Sequence, residues 1–304
     1  MPFMEIVDKI KQLKKEKNAV ILVHNYQLPE IHEIADFLGD SLGLSMEAAK
    51  TDADVIVFCG VHFMAETAKI LSPQKTVLLP DINSGCPMAD MIDAESLAAL
   101  KAKHPNAVAL CYVNTSAAVK AQCDYCCTSA NAEKMVRHIL TRHQDIIFVP
   151  DKYLARFVSS QVGCNFILWD GYCPIHAAII PEHIARARQQ HPGAKVIVHP
   201  ECSPDLTALA DIVTSTEGMC KYVKNSPETE FIIGTEIGII HRMEKENPGK
   251  HFYPASNQAV CPDMKRTTLE KVLRSLTDMT HEIIIPQDIM DKARLSIERM
   301  LQIN

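Results

Sequence analysis

Three cysteines in the same local context are the clearest chemical signal in this chain of 304 residues. Cys86, Cys173 and Cys261 each follow a strand-like run and each precede a proline, at intervals of 87 and 88 residues. This constant period predicts one structural unit used three times, with a thiolate at the same place in each copy. Three thiolates on a common axis would bind a metal ion or a metal cluster from three sides.

Composition and charge exclude several classes of function. Apolar residues make up 47% of the chain and charged residues 22%, which is ordinary for a globular protein. The net charge of −6 gives no support to a nucleic-acid or membrane-surface partner. No apolar run approaches the length of a spanning helix, and the N-terminal segment is charged and amphipathic rather than a signal peptide, so we expect a cytoplasmic protein. In a reducing compartment, eleven cysteines favour metal ligation over a disulfide framework.

The same period recurs in the strand-like segments. Short apolar runs begin at equivalent places in the three copies, and a third run in each copy leads into the cysteine. The first runs begin at Val20, Val108 and Val196, and the second at Val55, Ile146 and Phe231. Helical patterns separate the runs, and one of them predicts a helix over residues 33–50. This alternation predicts right-handed crossovers and parallel sheets covered on both faces.

We therefore predict an α/β protein made of three small parallel-sheet αβα units, related by a pseudo-threefold axis around a central active site. The predicted units span residues 1–88, 89–174 and 175–263. Residues 264–304 begin like a fourth copy but continue as helices, which we expect to pack on the body.

Polar residues lie where the first strands end, and in open α/β sheets ligands bind at these carboxyl ends. These polar residues form three sets, and each set contains one residue from every copy at the same period. The sets are His24, Tyr112 and His199; Tyr26, Asn114 and Glu201; and Ser41, Ser129 and Thr216. The hydroxyl set is expected at helix starts, which suit phosphate or carboxylate groups. All three sets are predicted to face one cavity.

The residues alone do not determine which metal binds. Three thiolates can hold three irons of a [4Fe-4S] cluster, which leaves the fourth iron free as a Lewis acid. A closed zinc site formed by the three cysteines and His176 satisfies the same spacing. Glu201, the tyrosines and the histidines are suited to proton transfer in either case. The further cysteines Cys123, Cys126 and Cys127 favour buried packing, with metal binding or redox activity as alternatives.

Several segments resemble the quinolinate synthetase A family. They are HNYQ, GVHFMAETAKIL, LPDINSGCPMAD, YVNTSAAVKA, WDGYCPIH, VHPEC and STEGM, and they extend from about Val20 to Cys261. The resemblance implies three homologous α/β domains in a triangle and a [4Fe-4S] cluster on three cysteines. It also implies the condensation of iminoaspartate with dihydroxyacetone phosphate, with loss of two waters and phosphate, to give quinolinate for NAD biosynthesis.

The resemblance also implies roles for single residues. Cys86, Cys173 and Cys261 match the family's cluster ligands, and Glu201 and Tyr26 match its acid/base pair, with His24 and His199 beside them. The implied substrate contacts are His24, Ser41, Tyr112, Asn114, Ser129, His176, His199, Glu201 and Thr216. A transient contact with the L-aspartate oxidase or dehydrogenase that supplies the imine is compatible with this function. Some members carry a C-x-x-C motif at the third ligand, but here PDMKRTT follows Cys261, so redox regulation by that motif is not supported.

Two rival functions remain from the residues themselves. The first is a non-catalytic iron–sulfur or zinc regulator, which would use the cysteines alone. The convergent histidines, tyrosines and Glu201 argue against it, because a sensor needs few proton-transfer groups. A hydro-lyase with the same open iron, acting on a different hydroxy acid, is the second rival.

Overall fold

The repeat in the sequence corresponds to three parallel sheets of four strands each. The structure, a computed structural model, describes residues 3–303. The strands of the first sheet are β1 (Ala19–His24), β2 (Phe37–Gly39), β3 (Val55–Cys59) and β4 (Thr76–Leu78). Those of the second are β5 (Val108–Tyr112), β6 (Tyr125–Cys127), β7 (Ile146–Val149) and β8 (Ile167–Leu168). Those of the third are β9 (Lys195–Val198), β10 (Ile212–Val213), β11 (Glu230–Gly234) and β12 (His251–Pro254).

All three sheets have the same strand order. The orders are β2-β1-β3-β4, β6-β5-β7-β8 and β10-β9-β11-β12, and every neighbouring pair is parallel. The predicted α/β class and the three αβα units are therefore confirmed.

Helices cover the sheets and connect their strands. In the first copy they are α1 (Phe3–Glu16), α2 (Pro29–His32), α3 (Ser41–Lys50) and α4 (His62–Leu71). In the second they are α5 (Ala94–Lys103), α6 (Ala117–Lys120), α7 (Ala132–Leu140) and α8 (Lys152–Val162). The rest are α9 (Pro174–Ala177), α10 (Pro181–Gln190), α11 (Pro204–Thr207), α12 (Thr216–Asn225), α13 (Ile239–Glu246), α14 (Leu269–Asp278) and α15 (Gln287–Gln302), with 3-10 turns at Ala89–Met91 and Met264–Arg266. Within residues 3–303, no helix has the length and apolar character needed to cross a membrane.

The central strands are apolar on both faces because helices cover both sides of each sheet. Every residue of β3 and of β7 is buried, although their successive side chains point to opposite faces. The apolar runs of the sequence thus form strands for the reason that the sequence suggested.

The predicted helix over residues 33–50 is wrong in its first half. Residues Phe37–Gly39 form the edge strand β2 instead, and the equivalent edge strands β6 and β10 were also missed. The Asp36 carboxylate accepts the Ile21 N–H at 2.8 Å, which fixes the entry to β2 beside β1. Asp40 then caps α3 by accepting the Gly43 N–H at 2.9 Å. The N-cap therefore starts the helix eight residues later than the apolar pattern indicated.

The strand order determines where a ligand can bind. In each copy the chain runs from the first strand to the edge strand on one side of it. The chain then crosses over and forms the third strand on the other side of the first. The connections that leave the first and the third strand of a copy therefore run in opposite directions, which creates a crevice at the carboxyl ends of these two neighbouring strands. Tyr26, Asn114 and Glu201 follow this point in the three copies.

The C-terminal helices contact the first and second sheets. Helix α14 packs against α1 and β3, and α15 packs against β6, α6 and α4. Between them, the His281 carbonyl accepts the Leu79 N–H at 3.1 Å, and the Ile283 N–H donates to the Val77 carbonyl at 2.8 Å. The chain end thus ties the first copy to the second.

Truncation of one buried side chain of α15 tests this docking. Ile297 is fully buried and Leu295 is 55% exposed on the same helix. We expect Ile297→Ala to lower the free energy of unfolding by about 2–4 kcal/mol, because it removes packed methyl groups and leaves a cavity. The control Leu295→Ala should stay within about 0.5 kcal/mol of the parent. Urea titrations of both variants make the comparison, and equal effects would contradict the docked position of α15.

Candidate active site

A cavity of about 690 Å³, including its open mouth, lies where the carboxyl ends of the three sheets meet. Every site residue that was predicted from the sequence lines it. They are His24, Tyr26, Ser41, Cys86, Tyr112, Asn114, Ser129, Cys173, His176, His199, Glu201, Thr216 and Cys261. Residues up to 237 positions apart in the chain therefore share one wall, because each copy contributes the same edge of its sheet.

The three periodic cysteines occupy equivalent positions in this wall. Each thiol is partly exposed, and each precedes a single helical turn. Backbone N–H groups of that turn donate to each sulfur, and the donors include Ala89, His176 and Met264. Burial raises the pKa of Cys86 to about 12, and it also raises the pKa values of Cys173 and Cys261. Metal binding at these thiols therefore has to displace protons.

The donor set fits a three-point iron–sulfur cluster. Three sulfurs with directed N–H donors suit cluster ligation, since hydrogen bonds to the sulfurs stabilise the thiolate form. Among residues 3–303, no fourth cysteine lines the cavity. A smaller set is also present, since ligand atoms of Cys173, His176 and Glu201 lie within 4.8 Å of one another. A metal ion on that smaller set would leave two of the three periodic thiols unused.

Glu201 is a buried carboxylate held by two short contacts. The Tyr112 O–H donates to Oε1 at 2.5 Å, and His176 Nδ1 lies 2.7 Å from Oε2. Burial alone would raise the pKa of Glu201, but the influence of His176 and His199 and the bonds from His176 and Tyr112 outweigh it and lower the pKa to about 2. Glu201 is thus ionised at neutral pH, in a place where it can accept a proton.

A hydrogen-bonded chain continues from Glu201 to the first copy through Thr235. His176 Nδ1 faces Glu201, and on the other side of the ring Nε2 lies in a hydrogen bond of 2.8 Å with the Thr235 hydroxyl. The Tyr26 hydroxyl lies 2.5 Å from Thr235 Oγ1 and 3.5 Å from His176 Nε2. Tyr26 therefore reaches Glu201 through His176, with Thr235 bonded to both rings, rather than by direct contact.

Two histidines at equivalent strand ends present the same ring nitrogen to the cavity. Nδ1 of His24 accepts the Tyr26 N–H at 3.2 Å, and Nδ1 of His199 accepts the Glu201 N–H at 3.4 Å. Burial lowers the pKa of each to about 3. Both imidazoles are therefore neutral with the proton on Nε2, so each offers an N–H donor, and that of His199 donates to Ser129 Oγ at 3.2 Å.

The three predicted hydroxyls differ in their positions. Ser41 and Thr216 are the first residues of α3 and α12, as expected. The expectation is wrong for Ser129, which lies in the turn before α7, because Asn131 is the residue that precedes that helix. Thr216 Oγ1 accepts the Asn25 side-chain N–H at 3.2 Å, so its own hydroxyl proton is free for a ligand.

Sequence reasoning missed several residues of this region. Thr235 and Glu236 follow β11. They were missed because the prediction used only the residues at the ends of the first strand of each copy. Glu236 is fully buried, forms an ion pair with Lys265 at 2.9 Å and accepts the Cys261 N–H at 3.1 Å. Reading the ends of the second strands would have found both. The remaining lining residues, Asp40, Val61, Phe63, Met64, Gly85, Met88, Thr128, Ile175 and Met264, lack a periodic signal of like chemistry.

Comparison with known families agrees with the geometry of the cavity. The family model described as "Quinolinate synthetase A protein" matches residues 8–302. The chain belongs to the quinolinate synthetase A family.

Relatives within this family are similar along the whole chain. The quinolinate synthase of Methanosarcina barkeri is 52% identical over 299 residues, which is 98% of both chains. That of Dehalococcoides mccartyi strain CBDB1 is 54% identical over 298 residues, again 98% of both. That of Geobacter metallireducens is 54% identical over 298 residues, or 98% of this chain and 97% of its own. The suggested resemblance is confirmed, and the chain is an enzyme of the quinolinate synthetase A family rather than a non-catalytic regulator.

Removal of the Thr235 hydroxyl tests the chain between Tyr26 and Glu201. Thr235→Val keeps the shape of the side chain but leaves Tyr26 and His176 without their shared partner. We expect activity to fall by about 100-fold, the low end of what a proton-transfer group contributes. Thr235→Ser, which restores the hydroxyl, should recover most of it, as measured by steady-state turnover.

Thr67→Val is the matched control for this substitution. Thr67 is equally buried, and its hydroxyl donates to the Phe63 carbonyl at 2.8 Å, away from the Glu201 network. Its turnover should stay within a few-fold of the parent. Similar losses in the Thr67 and Thr235 variants would indicate a general packing effect.

Proposed function

We propose that this cavity condenses iminoaspartate with dihydroxyacetone phosphate to form quinolinate, with loss of two waters and phosphate. The observation that carries the proposal is the convergence of three periodic thiols with one ionised carboxylate, Glu201, in a single buried cavity. Membership in the quinolinate synthetase A family supports it, since the compared relatives are named quinolinate synthases.

Cys86, Cys173 and Cys261 are the proposed ligands of a [4Fe-4S] cluster. A cluster on three protein ligands supplies a Lewis-acidic iron that can bind a carboxylate and an adjacent oxygen. The thiols lie at the same cavity as Glu201, which brings such chemistry next to a proton acceptor.

Neutral donors are the proposed anchors of the anionic substrates. His24 and His199 offer N–H groups, and Ser41, Ser129 and Thr216 offer hydroxyls. Free amides at the starts of the ten-residue helices α3 and α12 add to the attraction for phosphate and carboxylate. Within residues 3–303, no lysine or arginine lines the cavity, so hydrogen bonds and helix dipoles supply the binding there.

Glu201 is the proposed base. As a buried carboxylate that is ionised in the cavity, it would accept the proton removed during enolisation and imine formation, while Tyr112 and His176 bind its two oxygens. Burial raises the pKa of Tyr26 and the pKa of Tyr112 well above the usual value, so both phenols keep their protons. Tyr26 is placed to donate a proton to the substrate and to recover one through Thr235 and His176.

Glu201→Gln tests the base. The amide keeps the size of the side chain but cannot accept a proton, so we expect quinolinate formation to fall by about 10³-fold or more. Iron and sulfide contents should match those of the parent after anaerobic purification. Activity close to that of the parent would remove Glu201 from the mechanism.

Metal analysis tests the three-thiol site. We expect about four irons and four sulfides per chain in the parent, and their loss in Cys173→Ala with the circular dichroism of the fold retained. Cys220→Ala is the matched control, because Cys220 is buried in α12 and does not line the cavity. One zinc per chain and no sulfide in the parent would instead favour a zinc site, either on the three cysteines and His176 or on Cys173, His176 and Glu201.

A further inference from the structure

A buried lysine lies directly behind the cavity wall in the second copy. Lys120 is fully buried at the end of α6. Its Nζ donates to the Val113 carbonyl at 2.7 Å and to the Thr115 carbonyl, and it lies 5.4 Å from the centroid of the Phe63 ring. No carboxylate within residues 3–303 pairs with it. Fully buried lysines are rare, and the two carbonyls show which part of the chain this ammonium holds.

The two carbonyls flank Asn114. The ammonium therefore fixes the peptide group before Asn114 and the one after Thr115, and Phe63, which it also contacts, lines the same cavity. Oδ1 of Asn114 is buried and has no hydrogen-bond partner. A buried amide oxygen without a partner costs about 1–3 kcal/mol, which a ligand N–H or O–H group can recover.

The extra cysteines of the second copy bond to the main chain beside this loop. The Cys111 thiol donates to the Tyr125 carbonyl at 3.5 Å, and the Cys123 thiol donates to the Val119 carbonyl at 3.2 Å. Their carbonyl partners differ from the two that bind the Lys120 ammonium.

We propose that Lys120 is a positioning residue for substrate binding, which acts by holding the Val113 and Thr115 carbonyls on either side of Asn114. This role rests on the proposed function, since dihydroxyacetone phosphate brings the hydroxyl that Asn114 would bind.

The C-terminal helix supports the same lysine. Ser296 of α15 is fully buried, and its hydroxyl lies within hydrogen-bond distance of two carbonyls, that of Ala293 at 2.9 Å and that of Lys120 at 3.1 Å. The position of Lys120 thus depends on packing between α15 and α6, which ties a distant helix to the cavity wall.

Lys120→Met in the full-length, cluster-loaded protein is the central test. The thioether fills the same space without a charge or a donor. The loop of residues 112–116 therefore loses the hydrogen bonds to its carbonyls. We expect the KM for dihydroxyacetone phosphate to rise about tenfold with kcat changed less than about threefold, the pattern of a lost binding contact. Backbone hydrogen exchange in residues 112–116 should also become faster, and cluster content should not change.

Lys75→Met is the matched control. Lys75 is 7% exposed and its Nζ also donates to a backbone carbonyl, that of Thr51, but it lies outside the cavity wall. It should leave both the KM and the exchange of residues 112–116 unchanged. Equal effects of the two substitutions would overturn the proposal.

A double-mutant cycle tests whether Lys120 acts through Asn114. In an Asn114→Ala background, Lys120→Met should change the KM by less than about twofold, because the side chain it positions is already absent. A full tenfold further loss would overturn the assignment. Unchanged exchange in residues 112–116 after Lys120→Met would overturn it as well.

A milder variant keeps the test decisive if Lys120→Met does not fold. Lys120→Gln keeps N–H donors on a side chain that is one atom shorter, so it should hold the two carbonyls less firmly and speed exchange in residues 112–116. Lys75→Gln is its control, because Lys75 also donates to a carbonyl but lies outside the cavity wall. Absence of quinolinate formation by the parent would refute the proposed function, whereas an active parent with an unaltered Lys120→Met variant would refute only the role of Lys120.

Discussion

A negative charge buried at the meeting point of three sheets is the constraint on which the site depends. Glu201 is only 3% exposed, and an isolated carboxylate at that depth would take up a proton. It stays ionised because Tyr112 from the second copy and His176 from the third bind its two oxygens. The third copy also supplies Thr235, which continues the chain to Tyr26 in the first. The hydrogen-bonded chain around Glu201 is therefore complete only when all three copies are in place.

The cations that support this cavity lie one layer behind its wall. Lys120 holds the carbonyls beside Asn114, and Lys265 binds the Tyr26 carbonyl and Glu236. Arg242 donates to the Asn25 side chain at 2.8 Å, and Asn25 in turn bonds to the Thr216 hydroxyl. Each cation thus orients a wall residue, and the wall itself presents neutral donors. Such a cavity can bind anions without an ammonium or guanidinium group that would compete for the protons of Glu201.

Periodicity made much of the fold and of the cavity predictable from the sequence. The strands repeat in apolar pattern and the wall residues repeat in position, so Tyr112 and Glu201 could be placed in one cavity without any contact information. The edge strand Phe37–Gly39 could not be separated from the following helix, because two or three apolar residues fit either period and side-chain bonds of Asp36 and Asp40 decide between them. Thr235 and Lys120 were missed for a different reason. Each acts through hydrogen bonds to side chains that are distant in sequence or to main-chain carbonyls. A pattern of residue types in the sequence does not predict such bonds.

The three equivalent positions at the strand ends carry different chemistry, and this has a consequence for the ancestry of the chain. His24, Tyr112 and His199 occupy the same place in their copies, as do Tyr26, Asn114 and Glu201, whereas the cysteine is the same in all three. A ring of three separate identical subunits would have to repeat every substitution three times, so it could offer three thiolates but never a single base facing a single amide. Fusion of the copies into one polypeptide releases each position to diverge alone. The metal-binding symmetry could be kept while an asymmetric substrate gained three different walls.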